Sequence, residues 1–302
     1  MDKLLTLYDI DPSEVSPLRG GLENEKFLIS LKSGHRLLLK VYRDAPQEEV
    51  QCEIEVLLHL RSRGIPAQVP VPNREGRDVH SVNGRWAAMF EFIEGCEPGA
   101  TPETFRTIGR LLARIHNCES IDCMKSGYSI QRDAIEAFMD AEQTGSDFRS
   151  FLQECLAATR GLYGEHLERR MCHCDLFLDN IIRGWDGQLL PIDFEEVAVE
   201  LVVFDIGRAI IGGGQISGGH AAVEYCDALL VGYQEIRKLD ARDLALVHEG
   251  IVYAGMISTF WRYRAFEIEK IDEQRIGSYK TLQRVTQEYL DAARSMGLLE
   301  HV

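Results

Sequence analysis

The segment His173-Cys174-Asp175-Leu176-Phe177-Leu178-Asp179-Asn180 sets a carboxylate five residues ahead of a carboxamide. Thirteen residues beyond Asn180, the short apolar run Leu189-Leu190-Pro191-Ile192 delivers a second carboxylate, Asp193, followed by Phe194 and Glu195. This inventory suits phosphoryl transfer. One carboxylate orients an attacking hydroxyl and takes its proton, while an amide oxygen and a second carboxylate hold magnesium against nucleotide phosphates. Asp175 fits the first role, and Asn180 and Asp193 fit the second. The Asp and Asn taken singly could also serve as loop caps, since both residues bond their own backbone in turns. That reading does not account for Asp193 and Asp205, each expected to follow an apolar strand.

Lys40 lies inside the apolar run Leu37–Tyr42, where an ammonium is costly unless it is paired or reaches a ligand. An exposed edge-strand lysine is the other reading. For recognition of an amine, Glu195, Glu196 and Glu200 offer carboxylates. Phe260, Trp261, Tyr263 and Phe266 offer faces for a quaternary ammonium, or else simply core. Arg262 and Arg264 could meet a substrate carboxylate or pair with Glu267 and Glu269.

These residues need two kinds of support. Over the first hundred residues the pattern is strand-rich. Lys26–Leu31 and Arg36–Tyr42 flank Lys32-Ser33-Gly34-His35 as a hairpin, and Arg85–Ile93 reads as a buried strand. Between them a helix opens near Pro46, carries Val50, Ile54, Leu57, Leu58 and Arg61 on one face, and stops at Gly64-Ile65-Pro66. Beyond Gly95 the pattern turns helical. Thr101-Pro102 caps a helix to about Asn117, and further helices are expected over 131–142, 147–169, 219–237, 241–270 and 277–296. The island Met171–Phe194 is the strand-rich exception, with a hairpin turn at Trp185-Asp186-Gly187. The expectation is an α+β chain in two lobes. A small antiparallel sheet with one helix occupies 1–93 and a larger, mainly helical lobe occupies 94–302.

Composition bounds the partners. Lys plus Arg number 33 against 48 Asp plus Glu over 302 residues, a formal charge of −15. Such a surface repels phosphate backbones and anionic lipid, so neither nucleic acid nor a membrane is expected as partner, whereas an amine-bearing small molecule would be attracted. No run approaches the roughly 18 apolar residues of a membrane span. The eight cysteines contain no C-x-x-C, so they are expected reduced, in a cytoplasmic protein; Cys172-His173-Cys174 is poorly spaced for zinc.

The motifs resemble those of the kinase-like small-molecule phosphotransferases, a group holding aminoglycoside phosphotransferases, choline and ethanolamine kinases and bacterial homoserine kinases. His173–Asn180 resembles their catalytic loop, Ile192-Asp193-Phe194 their metal-binding segment, and Phe204-Asp205-Ile206-Gly207 their downstream aspartate motif, whose Asp braces the loop. The resemblance implies a protein-kinase-like two-lobed fold using ATP and Mg2+. It implies that Lys40 reaches the nucleotide phosphates and pairs with a helix glutamate: Glu53, with Glu55 as competitor. Arg19–Asn24 resembles the phosphate-covering turn, which assigns Gly21 and Asn24 to the nucleotide. Met89–Ile93 resembles the adenine hinge, with the Glu91 carbonyl and the Ile93 amide facing the base. His173 would support the loop.

Residues 231–237 and 260–263 look like the helices of homoserine kinases, while Asp193-Phe194-Glu195 and Phe204–Gly207 look more like choline kinases. The expected activity is phosphorylation of a hydroxyl on a small amine-bearing alcohol, homoserine-like first, with Glu195, Trp261 and Tyr263 as substrate contacts. A choline, ethanolamine or aminoglycoside acceptor is the alternative. A protein Ser/Thr kinase would need an activation segment that the eleven residues between Asp193 and Asp205 do not provide. An inactive nucleotide-binding protein is the remaining class.

Overall fold

A computed structural model of the chain describes residues 2–18, 24–141, 146–163, 167–269 and 274–300. The chain divides into two compact units. The first comprises Met1–Cys96, Ile121–Met124 and Ile182–Glu195, and so reaches past the expected boundary at residue 93.

In the first unit, helix α1 (Asp2–Tyr8) precedes strands β1 (Pro12–Leu18), β2 (Glu25–Leu31) and β3 (Arg36–Val41). Helix α2 (Gln47–Ser62), β4 (Val79–Val82) and β5 (Arg85–Glu91) complete an antiparallel sheet of order β1-β2-β3-β5-β4. Leu5, Ile29, Leu37, Leu39, Val41, Ala87 and Met89 form a core on one face. Because side chains alternate along a strand, Leu37 and Leu39 face this core while Leu38 and Lys40 face the opposite side. Strand β3 is central, so Lys40 is not an edge residue. Strand β6 (Gly95–Cys96) pairs with β9 (Ile181–Gly184), and β10 (Leu189–Pro191) folds back on β9 through the expected turn.

Two expectations fail here. On α2, Leu58 and Arg61 are exposed, and the buried face is Val50, Cys52, Glu53, Ile54, Val56, Leu57 and Leu60. The helix covers a broader stripe, shifted by about one residue from the one drawn on the apolar positions alone. The thiols are not all free either: Cys52 on α2 is bonded to Cys123, with Cα atoms 5.5 Å apart.

The second unit is built on α3 (Pro102–His116), α6 (Val202–Ser217), α7 (Gly219–Ile236), α8 (Ala241–Tyr263) and α9 (Tyr279–Ser295). Helices α4 (Arg132–Ala141) and α5 (Ser146–Ala158) pack beside them, and β7 (Lys125–Ser126), β8 (Arg169–Cys172) and β11 (Ala198–Leu201) form a small sheet. Thr101 caps α3 by accepting the Thr104 amide at 3.2 Å.

The expected helix over 147–169 ends at Ala158. A 3-10 turn, Arg160–Tyr163, then leads toward the extended β8. Strand β11 runs directly into α6, so Asp205 stands in a first helical turn rather than at a strand end. Helices α6 and α8 touch backbone to backbone: a Cβ on Gly207 would lie 2.5 Å from the Gly250 carbonyl oxygen, and one on Gly250 2.6 Å from that of Val203. Helix α8 with its π-helical extension Arg264–Glu269 is long and apolar enough to cross a membrane, yet 67% of its apolar window is buried inside the protein.

Candidate active site

In the first unit, the antiparallel register sets Lys26 of β2 directly opposite Lys40 of β3, on one face of the sheet. Lys40 is 3% exposed. Its Nζ donates to both Glu53 oxygens (2.9 and 3.2 Å) and to Oδ1 of Asp193 (2.8 Å), and lies 2.5 Å from Oε1 of Glu195. Lys26 donates to the other Asp193 oxygen at 3.0 Å, and the Tyr42 hydroxyl donates to Glu53 at 2.7 Å. Glu53 is therefore the lysine's helix partner; Glu55 is exposed and accepts from Gln51.

The Nδ2 of Asn24 donates to Glu195 at 2.5 Å, while its Oδ1 accepts the Arg43 amide. Glu195, assigned from sequence to the substrate, is thus held in the Lys40 cluster. Gly21 lies outside the described residues. Glu91 ends β5 with its N–H on the Val69 carbonyl and its own carbonyl 3.4 Å from Nε2 of Gln68. Ile93 follows, and its N–H meets no acceptor among the described residues.

Two ammonium groups here face three carboxylates, and the charges sort accordingly. Burial disfavours the charge of Lys40, but Asp193 and Glu53 outweigh it and hold the lysine protonated. Burial also works against the Asp193 carboxylate, yet Lys40 and Lys26 keep its pKa well below the usual range. Glu195 carries the remainder: burial, against the pull of Lys40 and with the neighbouring Asp193 and Glu53, pushes it up to about 9.

The second unit holds the segment His173–Asn180, expected from the sequence to be the catalytic loop. Asp205 accepts the backbone amides of His173 (2.9 Å) and Cys174 (2.8 Å) and is bonded to His116 at 3.0 Å, which in turn meets the Tyr233 hydroxyl at 2.8 Å. These bonds fix Cys174 at φ 62°, a left-handed conformation that costs a non-glycine residue. His173 is fully buried, and its Nδ1 accepts the Asp175 amide at 3.3 Å.

The turn leaves Asp175 at the surface of the unit. Its Oδ2 accepts Nδ2 of Asn180 at 2.9 Å, and the same Nδ2 reaches its carbonyl at 2.8 Å. This leaves Oδ1 of Asn180 with no donor among the described residues. The other Asp175 oxygen accepts Nη2 of Arg208, whose Nη1 donates to Ser258 at 2.5 Å. The guanidinium is ringed by Phe177, Tyr128 and Phe204, 4.9, 5.3 and 5.9 Å from its centre.

Sequence reasoning missed both Lys26 and Arg208. Arg208 gave the same signal as Lys40, a cation amid apolar neighbours (Ile206, Ala209, Ile210, Ile211). Lys26 was legible only through the hairpin register.

The other candidate substrate contacts have the following surroundings. Tyr263 stacks on Phe148 (4.2 Å) and meets Tyr279 edge-on (5.0 Å), and Trp261 packs on Phe266 (5.7 Å). Glu200 is buried, accepting the Tyr128 amide at 2.8 Å and Arg169 at 2.7 Å. Arg264 pairs with Glu269 at 2.9 Å.

Among the described residues, the donors near enough to share a metal are His116, Cys172 and Asp205, within 4.8 Å of one another. The hydrogen bonds above already occupy that histidine and aspartate. Burial holds the Cys172 thiol well above its ordinary pKa, so the trio is better read as loop bracing.

A family model described as the phosphotransferase enzyme family matches residues 14–239. The homoserine kinase of Rhodopseudomonas palustris (strain TIE-1) is 29% identical over 253 residues, covering 80% of this chain and 76% of that protein. The homoserine kinase of Methylobacillus glycogenes is 26% identical over 275 residues, covering 87% and 83%. Among solved structures, a microcompartment-associated aminopropanol kinase has a TM-score of 0.76 at 22% identity, covering 96% of each chain. A choline/ethanolamine kinase family protein from Mesorhizobium loti has a TM-score of 0.66 at 15% identity, covering 97% and 99%. The fold is thereby that of the protein-kinase-like phosphotransferases.

Proposed function

Because this chain belongs to the phosphotransferase enzyme family, we propose that it phosphorylates the hydroxyl of a small amine-bearing alcohol, using ATP and magnesium, with a homoserine-like amino alcohol as acceptor. The observation that carries this reading is the setting of Asp175, whose carboxylate is aimed by the Asp205-braced turn and steadied by Asn180 and Arg208.

Catalysis in this chemistry is positioning and charge neutralisation. Asp175 accepts a hydrogen bond from the acceptor hydroxyl and takes its proton. Lys40, kept cationic by Glu53, binds nucleotide phosphate oxygens. Each of the two proposed metal ligands is by itself an oxygen donor of the kind a divalent cation takes: Asp193 stays ionised in the first unit, and Asn180 has an uncommitted amide oxygen in the second. When bound, the cation neutralises phosphate charge. Asn24, Glu91 and Ile93 complete the nucleotide contacts.

The relatives named homoserine kinase and the structure named aminopropanol kinase support a compact amino alcohol as acceptor. A quaternary ammonium is less well served, because the rings of Phe177, Tyr128 and Phe204 already enclose the protein's own Arg208, the partner of Asp175.

The test is ADP release across a panel of amino alcohols, choline and aminoglycosides, with Asp175→Asn as control. The variant should lose roughly 100- to 10,000-fold in transfer rate while keeping ATP affinity. A variant that kept its turnover and lost ATP binding would remove Asp175 from the acceptor side.

A further inference from the structure

One cation near Asp175 makes no ion pair among the described residues. Arg262 lies four residues after Ser258 on α8, so the two share a face one turn apart, about 6 Å along the axis. Ser258 holds Nη1 of Arg208, and Arg208 holds Asp175, so this face of α8 lies beside the catalytic carboxylate. The charges acting on Arg262 are those of Asp179, Arg208 and Asp175. Its side chain is half-buried, yet its guanidinium makes no hydrogen bond or ion pair among the described residues, unlike Arg264, which is taken by Glu269. Arg208 is the less available of the two, being 4% exposed and already paired with Asp175.

We infer that Arg262 is the receptor for a carboxylate on the acceptor, which makes the acceptor a hydroxy amino acid rather than a simple amino alcohol. This rests on the kinase reading and narrows it. A guanidinium fork matches a carboxylate in two parallel hydrogen bonds, and a partly desolvated one gains most from a charge brought by the ligand. The exposed Asp179, which has no ion pair among the described residues, offers the matching place for the ammonium. Asp175, Asp179, Arg208 and Arg262 sum to zero charge, so a zwitterion adds one cation and one anion to sites of opposite sign. An acceptor without a carboxylate leaves Arg262 unpaired.

The test uses acceptor pairs that differ only in that carboxylate: L-homoserine with 3-aminopropan-1-ol, L-threonine with 1-aminopropan-2-ol, and L-serine with 2-aminoethanol. ADP release is measured for the wild type, Arg262→Met and Arg262→Lys, with ATP-induced thermal stabilisation recorded for each as a control of folding and nucleotide binding. The wild type should favour the carboxylate member of at least one pair by roughly 10- to 150-fold in kcat/KM, the range of a charge-assisted contact. Arg262→Met should erase that preference by raising KM for the carboxylate member, with KM for ATP unchanged, and Arg262→Lys should restore part of it.

Equal or better use of the decarboxylated members would overturn the inference and leave the kinase reading intact, as would silence from every pair in a protein that ATP stabilises. A rise confined to KM for ATP would place the anion on the nucleotide and overturn it too. Absence of ATP binding would sink both readings together.

Discussion

Oδ1 of Asp205 accepts the backbone amide of Cys174 at 2.8 Å, a contact between residues 31 apart in sequence. Its other oxygen takes the His173 amide, so one buried carboxylate holds both residues ahead of Asp175 and fixes the left-handed turn between them. The direction of the Asp175 side chain, the proposed catalytic group, is therefore set by a fully buried aspartate.

Asp205→Ala strands two buried amides and the His116 ring, and should cost about 1–3 kcal/mol in urea unfolding for each buried group left without a partner. Asp205→Asn keeps one oxygen acceptor and should lose less stability, with kcat falling and KM for ATP unaltered. A fully active Asp205→Asn enzyme would show that the turn holds without the second oxygen.

Glu195 gives the Lys40 cluster a pH signature. Its pKa is raised from 4.5 to about 9, so between those values the folded state keeps a proton that the unfolded chain has released. Stability from this group is complete below pH 4.5 and declines as pH rises toward 9, by at most about 1.4 kcal/mol per pH unit for one proton. Glu195→Gln keeps a neutral polar group there and should flatten this slope in denaturation measured from pH 6 to 8.5. An unchanged slope would mean that the proton sits elsewhere in the cluster.

The sequence displayed most of this machinery because its parts violate local expectation. A lysine inside Leu37–Tyr42 and carboxylates at the ends of short apolar runs are costly unless they act, and each was visible for that reason. Helix α6 was not, because Val202–Ser217 is apolar on every side and shows no amphipathic period. Arg208 went unread along with its helix. The contacts of Glu195 with Lys40 and Asn24 were not legible, because adjacency to Asp193 in sequence says nothing about which cations it meets. Lys26 depended on a cross-strand register, and the Cys52–Cys123 bond joins residues 71 apart with no spacing pattern to announce it.

That bond ties α2, the helix carrying Glu53, to the segment Ile121–Met124. Closing a loop of this length restricts the unfolded chain by about 4 kcal/mol in the chain-entropy treatment. Cys52→Ser should lower the guanidinium midpoint under non-oxidising handling only if the wild type carries the bond, and reductant added to the wild type should reproduce the shift. A wild-type midpoint indifferent to reductant would mean that the two thiols stand apart in solution.

Arg208 offers the sharpest separation of positioning from folding. Its planar fork reaches Ser258 with one nitrogen and Asp175 with the other, a bridge that a lysine's single ammonium cannot span. Arg208→Lys preserves the charge among Phe177, Tyr128 and Phe204 but should release either Ser258 or Asp175. The expected result is a fall in kcat of roughly tenfold or more, with KM for ATP unchanged, as for other displaced catalytic groups. Arg208→Met removes the charge from a buried site that still holds Asp175 on one side, and should fall further in kcat. Partial recovery in the lysine variant relative to the methionine one identifies the charge as part of the aim, and equal rates in the two would assign Arg208 to packing alone.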